Sequence, residues 1–391
     1  MVPSLASWPD YLALFRSGDE LLDLTWSRHD DQIRGELYKQ LMMNLSLGYF
    51  VYFQSDADYP DFVPILNSVF RLQPNPDDVY LYAPVRGNNS YRIVGDRGSV
   101  HILRFCVCLH FAGMSDDASG VLADYDADSL EIGPDGRFEV LLSADRPAGH
   151  TGNWWYLDPS AEHVLVRCRS YDWLNERDPR LSIERMGDHP LKPKIRIADI
   201  DSGIREIAGF SKRLSKVFLE WQNDVRQGGY VNRFTTTGFD ELPGVPNQVY
   251  WNCVFELQPD EALILETQMP DNLRYWNVQL NDPLFNAVEF IERQSSLNGH
   301  TAAIDPDGWF RAVITLDDPG VANWLDPCGY ETGTIIGRWT EADSCPMPTI
   351  RKVPLGDLFA QLPSSTTLVS PSERREALRV RRMGGQMRRR W

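Results

Sequence analysis

The 391-residue sequence is most restrictive in what it does without. No Gly-x-Gly-x-x-Gly loop and no Gly-x-x-x-x-Gly-Lys-Ser/Thr loop joins a strand-like run to a helix-like one, so the two best-known nucleotide-binding fingerprints are missing. Gly-x-Ser-x-Gly is absent as well, and no cysteine sits in a recognisable nucleophile setting. The six cysteines, Cys106, Cys108, Cys168, Cys253, Cys328 and Cys345, form no Cys-x-x-Cys pair and have no histidine at zinc spacing. Scattered thiols in so long a chain read as reduced, mostly buried residues of a cytoplasmic protein. No run approaches the length of apolar sequence that a membrane-spanning helix needs. The N-terminal segment lacks a basic region followed by an apolar one and meets acidic residues early. Positive charge is short: 39 Lys and Arg against 55 Asp and Glu leave a net charge of -16, which argues against nucleic acid or an anionic membrane as partner. No fingerprint calls for an organic cofactor or a metal.

What is abundant is aromatic surface, with 12 Trp and 15 Tyr. These side chains join a large apolar body to a polar tip, which suits β-rich cores and the walls of ligand pockets alike. Hydrophobic residues at 42% and charged residues at 24% fit a globular protein, and the length favours two domains. Charge is uneven along the chain. Residues 372–391 hold eight arginines against Glu373 and Glu376, so the remainder carries about -22. Such a tail is expected to dock on the acidic body or on a neighbouring subunit, which would make a homo-oligomer.

Ile33, Leu37, Leu41, Leu45 and Tyr49 recur every four residues, predicting an amphipathic helix with Asp30 or Asp31 as its N-cap. Residues 1–55 are therefore read as an N-terminal helical segment. Over 56–190 the runs YLYAPV, SYRIVG, SVHILRFCVCLHF, FEVLLS and HVLVRCRSY, broken by GNN, GDRG, GPDGR and LDPSAE, predict a first β-rich domain. Residues 191–229 read as a proline-bearing connector and a helix of about 25 residues that stops at Gly228-Gly229. Strand-like runs return in VYWNCVFEL, EALILETQM, YWNVQLN and WFRAVITL, placing a second β domain over 230–356, with a linker and arginine-rich tail over 357–391. Gly384-Gly385 argues against a long helix in that tail. The fold class is mainly β with helical additions: two antiparallel β-sandwich or jelly-roll-like domains joined by a long helix.

The stretch DPGVANWLDPCGYETGTIIGRW, Asp318 to Trp339, reads as a shaped loop, because its glycines, prolines, carboxylates and tryptophans suit no ordinary element. With Tyr275, Trp276 and Gln279 upstream, it resembles the DPGxxNWLDxxGxxxGxxxxRW pattern of an uncharacterised bacterial family, number twelve-fourteen in the domain-of-unknown-function series. Asn75 to Val100, DGRFEVLLS and VRCRSYDW are similar to that family's companion N-terminal β region. The resemblance covers most of 56–355 and implies two β-rich parts joined by helix. It brings no catalytic residues, and this chain departs from the many members that carry a secretion signal.

Several constellations are candidates for chemistry. Trp324 between Asn323 and Asp326 offers an aromatic plane flanked by polar tips, as a sugar or polyol ring requires; alternatively Asp326 accepts N–H groups of its own loop or pairs with Arg338. Arg167 lies just before Tyr171, Asp172 and Trp173 and suits a carboxylate, sulfate or phosphate, unless it pairs with Asp172. Asp172 and Asp326 are the acid/base candidates, Arg338 and Arg167 the anion holders, and His300 a candidate proton carrier. Trp324, Asn323, Tyr275, Trp276, Tyr82, Arg92 and Trp173 are the expected substrate contacts. His101 and His110, nine apart, point to opposite faces of a regular strand and do not make a metal pair. The expected function is an enzyme, a hydrolase or lyase without cofactor, acting on a small oxygen-rich metabolite such as a glycoside, terpenoid, steroid or aromatic, in a pocket between the two β domains. The alternatives are a carbohydrate- or small-ligand-binding protein and an assembly protein using its basic tail.

Overall fold

The computed structural model describes residues 5–16, 18–25, 27, 29–116, 120–188, 190–236 and 247–388. Short helices α1 (Trp8–Ala13) and α2 (Gly18–Leu22) lead into α3 (Asp31–Tyr49), which ends in a π turn over Phe50–Gln54. Asp30 caps α3 by accepting from the amides of Gln32 and Ile33, as its position ahead of the apolar stripe predicts.

Nine strands follow: β1 (Val63–Ile65), β2 (Asp78–Pro84), β3 (Tyr91–Asp96), β4 (Ile102–Cys108), β5 (Val121–Asp126), β6 (Arg137–Ser143), β7 (Asn153–Tyr156), β8 (His163–Arg169) and β9 (Arg180–Arg185). They form two sheets, ordered β1-β2-β8-β4-β5 and β7-β6-β3-β9, antiparallel except for the short β6–β7 pair. Residues from both sheets, among them Phe105, Val166, Ile93 and Val140, share one apolar core, so this is a sandwich. The second set comprises β10 (Gln248–Glu256), β11 (Glu261–Gln268), β12 (Leu273–Asn281), β13 (Ser296–Asn298), β14 (Trp309–Ile314), β15 (Trp324–Leu325), β16 (Thr332–Ala342) and β17 (Thr349–Pro354). Its sheets, β10-β16-β12-β13 and β15-β14-β11-β17, enclose a core containing Trp251, Trp276, Phe310 and Trp339.

Between the sandwiches runs α4 (Ile197–Gln227), 31 residues long. It begins earlier than the apolar spacing from Ile204 implied, because Ile197 and Ala198 of its first turn are exposed and add nothing to the buried stripe. α3 and α4 cover one end of the outer face of the five-stranded sheet, burying Tyr80, Tyr82, Cys106, Cys108 and Leu165 against Leu47, Phe210 and Leu214. The other end of that face meets the second sandwich through charge. Arg169 of β8 holds Asp78 and reaches Gln248 and Thr340, while Arg104 of β4 joins Asp124 and Glu341.

Two expectations are corrected. The second half of the Asp318–Trp339 stretch is not loop: β16 is a central strand of eleven residues, paired along its length with β10 and β12. Its glycines are there for packing, since a Cβ on Gly337 would lie 1.9 Å from the Trp251 ring. Gly337→Ala is expected to destabilise the protein by at least about 1–3 kcal/mol, read as a lower urea midpoint at unchanged slope. The tail likewise carries, after the short α5 (Leu358–Gln361), a 17-residue helix, α6 (Pro371–Met387), that runs through Gly384-Gly385. Ser370 and Glu373 close a capping box at its start. The glycine pair lets the helix lie on Trp173 and Ile291, whose atoms a Cβ would approach within 2.9 and 2.6 Å.

Candidate functional site

A cavity of about 290 Å³ opens where the segment after β8, the loop after β13 and helix α6 meet. Tyr171, Asp172, Trp173 and Leu174 form one wall, His300, Thr301 and Gln294 another, and Glu376, Ala377, Val380 and Arg381 of α6 a third.

The walls are held by a buried carboxylate. Asp77, just ahead of β2, accepts from Trp173 Nε1 at 2.8 Å, Asn298 Nδ2 at 2.7 Å and the Tyr275 hydroxyl at 2.5 Å. Burial raises the Asp77 pKa, and these three donors work against that rise. Asn298 carries the constraint onward, because its side-chain oxygen accepts the backbone N–H groups of His300 and Thr301. Gly299 lets this loop approach Tyr171, whose hydroxyl oxygen would sit 2.9 Å from a Cβ there. One buried group thereby orients both Trp173 and the His300 loop.

Asp172 closes an Asx turn, accepting from the amides of Leu174 and Asn175 at 3.1 and 3.2 Å and from Asn175 Nδ2 at 2.7 Å. Partial desolvation would raise its pKa, but the Asn175 hydrogen bonds and the neighbouring His300 outweigh this and hold it below the usual carboxylate value. The Asp172 carboxylate is thus an anion at neutral pH. His300 Nε2 lies 3.8 Å from Asp172 Oδ2, with half of its side chain exposed. Behind Trp173, the Arg381 guanidinium stacks on the indole at 4.6 Å and donates to the Phe290 carbonyl and to Ser296. Burial pushes its pKa down to about 10, so it remains a cation at neutral pH, hydrogen-bonded to neutral oxygens. Across the cavity Glu376 is taken up by Arg379.

The remaining candidates lie elsewhere. Asp326 is buried and held by Arg293 through two bonds of 2.6 and 2.8 Å, and it also accepts from the Cys328 amide. Its partner is therefore Arg293 and not Arg338. Arg338 is buried between the sandwiches and donates to Gln279, Asn277 and the Gln73 carbonyl. Asn323 ties the Ala303 backbone to the Arg311 carbonyl, and the Trp324 indole donates to the Thr315 carbonyl beneath Arg374. Tyr275 belongs to the Asp77 cluster, Trp276 packs on Phe310 in the second core, and Arg92 pairs with Glu184 on the outside of the first sandwich. Tyr82 packs against Phe111 and His163 under the helices. Arg167 does not pair with Asp172. It lines a separate cavity.

Asp77 and Asn298 were missed by sequence reasoning. The signal for the first was a pair of carboxylates, Asp77-Asp78, placed directly at the start of an otherwise apolar strand. Among the described residues no group of His, Cys, Asp or Glu is arranged to hold a metal, and no helix is long and apolar enough to cross a membrane.

No family model matches the chain, and no curated protein does. Solved structures do match. An uncharacterised protein from Burkholderia cenocepacia is 29% identical, with a TM-score of 0.83 over 89% of this chain and 97% of its own. The chain shares that protein's fold. A Vibrio parahaemolyticus protein aligns at 12% identity and a TM-score of 0.47, over 85% of this chain and 100% of its own. The Burkholderia protein's description names no activity, consistent with an uncharacterised bacterial family.

Proposed function

We propose that the chain is an acid/base enzyme, a hydrolase or lyase, acting on a small, partly apolar oxygen-bearing molecule in the cavity beside His300. The observation that carries this reading is the pairing of an exposed imidazole with an ionised carboxylate at the edge of a cavity walled by Tyr171, Trp173, Leu174 and Val380. Asp172 on the Nε2 side favours the tautomer protonated there, which leaves Nδ1 to take a proton from a water or a substrate carbon. The gap of 3.8 Å is one that such a pair closes when substrate excludes water. The Arg381 charge behind Trp173 favours a substrate that gains negative charge as it reacts. At about 290 Å³ the space suits a single ring better than a steroid or an oligosaccharide. Membership of the family numbered twelve-fourteen and a cytoplasmic location belong to the same proposal; the DPG…NWLD…RW residues support the first and the unbridged, mostly buried cysteines the second.

A mass-spectrometric screen of small glycosides, lactones, esters and hydroxy acids tests it. A product should form with the wild type and not with His300→Gln. Conversion that proceeds equally with His300→Gln and with Asp172→Asn places the reaction at another site. A ligand that saturates the cavity and is recovered unchanged makes the protein a binder. Ala377→Trp, which fills the cavity from α6 without touching His300, is expected to raise KM about tenfold or more while the protein stays folded.

A further inference from the structure

A second cavity, of about 130 Å³, lies on the outer face of the five-stranded sheet, lined by Leu72, Cys108, Phe111, His163, Leu165 and Arg167 among others. Three arginines share that face. Arg169 has Asp78, and Arg104 has Asp124 and Glu341. Arg167, set between Tyr80 of β2 and Arg104 of β4, has no hydrogen bond or ion pair among the described residues, and its Nε is buried without a partner.

Arg167 is only partly exposed and its Nε is shut off from water, so an anion on the guanidinium would satisfy it. Asp78 attracts Arg167 across the sheet, but no group around the guanidinium bonds to it. Burial holds the Cys106 thiol and the Tyr80 phenol well above their ordinary pKa values, so both are neutral at pH 7. Asp78 is already engaged by two bonds from Arg169. Along the same strand the His163 ring, 3% exposed, also ends in an unpartnered nitrogen, Nδ1. Burial pushes its pKa down to about 3, so the ring is neutral. The rest of the lining is mostly apolar, with Leu165, Leu72, Phe111 and Cys108, and includes His110.

We propose that this cavity binds a small, largely apolar carboxylate about the size of benzoate, with its carboxylate on Arg167 and, where it carries one, a hydroxyl or amino group on His163. The volume limits the apolar body to at most a single ring, since roughly 150 Å³ accepts benzene itself. The carboxylate supplies the planar pair of acceptors that a guanidinium fork matches, and the apolar body matches the lining. The site is separate from His300 and does not depend on the acid/base reading.

Titration calorimetry at pH 7 with benzoate, 4-hydroxybenzoate, benzyl alcohol and inorganic phosphate tests it. One saturable benzoate site is expected in the wild type, unchanged in His300→Ala and about tenfold weaker or more in Arg167→Met. Benzyl alcohol should be weaker than benzoate by a similar factor, and 4-hydroxybenzoate tighter than benzoate by a margin that His163→Phe removes. Loss of binding in His300→Ala would assign the ligand to the other cavity and overturn the proposal. Equal binding by Arg167→Met, no benzoate heat at millimolar concentration, or phosphate binding as tightly as benzoate would each do the same. Thermal melts guard against misfolding: without ligand, Arg167→Met should melt at or above the wild type, since it removes a partly buried cation that bonds to no residue. A lower melting temperature would make Arg167 a structural residue and reject the site.

Discussion

Arg169→Met is expected to lower the unfolding free energy by about 3–5 kcal/mol, because it leaves the Asp78 carboxylate buried without its partner. The pair is fully internal. Arg169 meets Asp78 through Nε and a terminal nitrogen at 2.7 and 2.9 Å, lies over the Tyr275 ring at 4.3 Å, and donates to Gln248 and Thr340 of the second sandwich. The loss therefore loosens the junction between sandwiches as well as β2 and β8. Burial on its own would raise the Asp78 pKa; attraction to Arg169 and its hydrogen bonds outweigh that and lower it. A carboxylate lowered in the folded state contributes stability above its unfolded pKa, near 4, and loses it as pH falls through the folded value. In the variant desolvation is unopposed by Arg169, so folding favours the protonated acid and stability instead falls as pH rises above about 4. Urea unfolding at pH 4.5 and 7 reads both effects: the deficit should be larger at pH 7. A deficit that is the same at both pH values would mean that Asp78 is not the group left stranded. Replacing both residues, Asp78→Leu with Arg169→Met, should recover most of the loss.

His300→Ala is expected to reduce turnover of the substrate found by screening by about 10²- to 10⁴-fold, the range that a positioned proton carrier supplies. Melting temperature should change little, since the side chain is half exposed and lies 3.8 Å from Asp172 without a hydrogen bond to it. Asp172→Asn should act differently. Asparagine still accepts the Leu174 and Asn175 amides, so the turn survives, while the negative charge beside the imidazole is gone. The imidazole then loses the group that orients it, so kcat should fall, but by less than His300→Ala gives. Unchanged kcat in Asp172→Asn would remove the carboxylate from the mechanism. A loss of folded protein would show that its role is confined to the turn.

The tail and the motif region show where local reading ran out. Gly384-Gly385 lowers intrinsic helix propensity, yet α6 continues through it because Trp173 and Ile291 leave no room for a Cβ. Contact energy outweighed a local preference of about 1 kcal/mol per glycine. The same holds for Gly333 and Gly337, which read as loop residues and sit in the longest strand, where their lack of side chains admits Phe255 and Trp251. The short strands β1, β7, β13 and β15 have too few residues to display a period of two, and β5 and β9 lie half open with mixed polarity. The tail arginines Arg374, Arg381 and Arg388 are spent within the chain, on Asp318, on the Phe290 carbonyl and on Asp178.

The sequence by itself determined that the chain is mainly β, that a helix lies in its N-terminal segment and that a long helix divides it, because alternation and four-residue spacing are local consequences of which faces must be buried. It also singled out Asp172, Trp173, His300 and Arg167 as residues of interest by their chemistry. Only the tertiary structure decided that His300 stands beside Asp172, although 128 positions separate them in sequence. It also decided that Asp326 is satisfied by Arg293 and that Arg167 faces a cavity without an anion. Pairing between charges is set by distances across packed sheets, and those distances depend on the register of strands far apart in the chain, which no local pattern encodes.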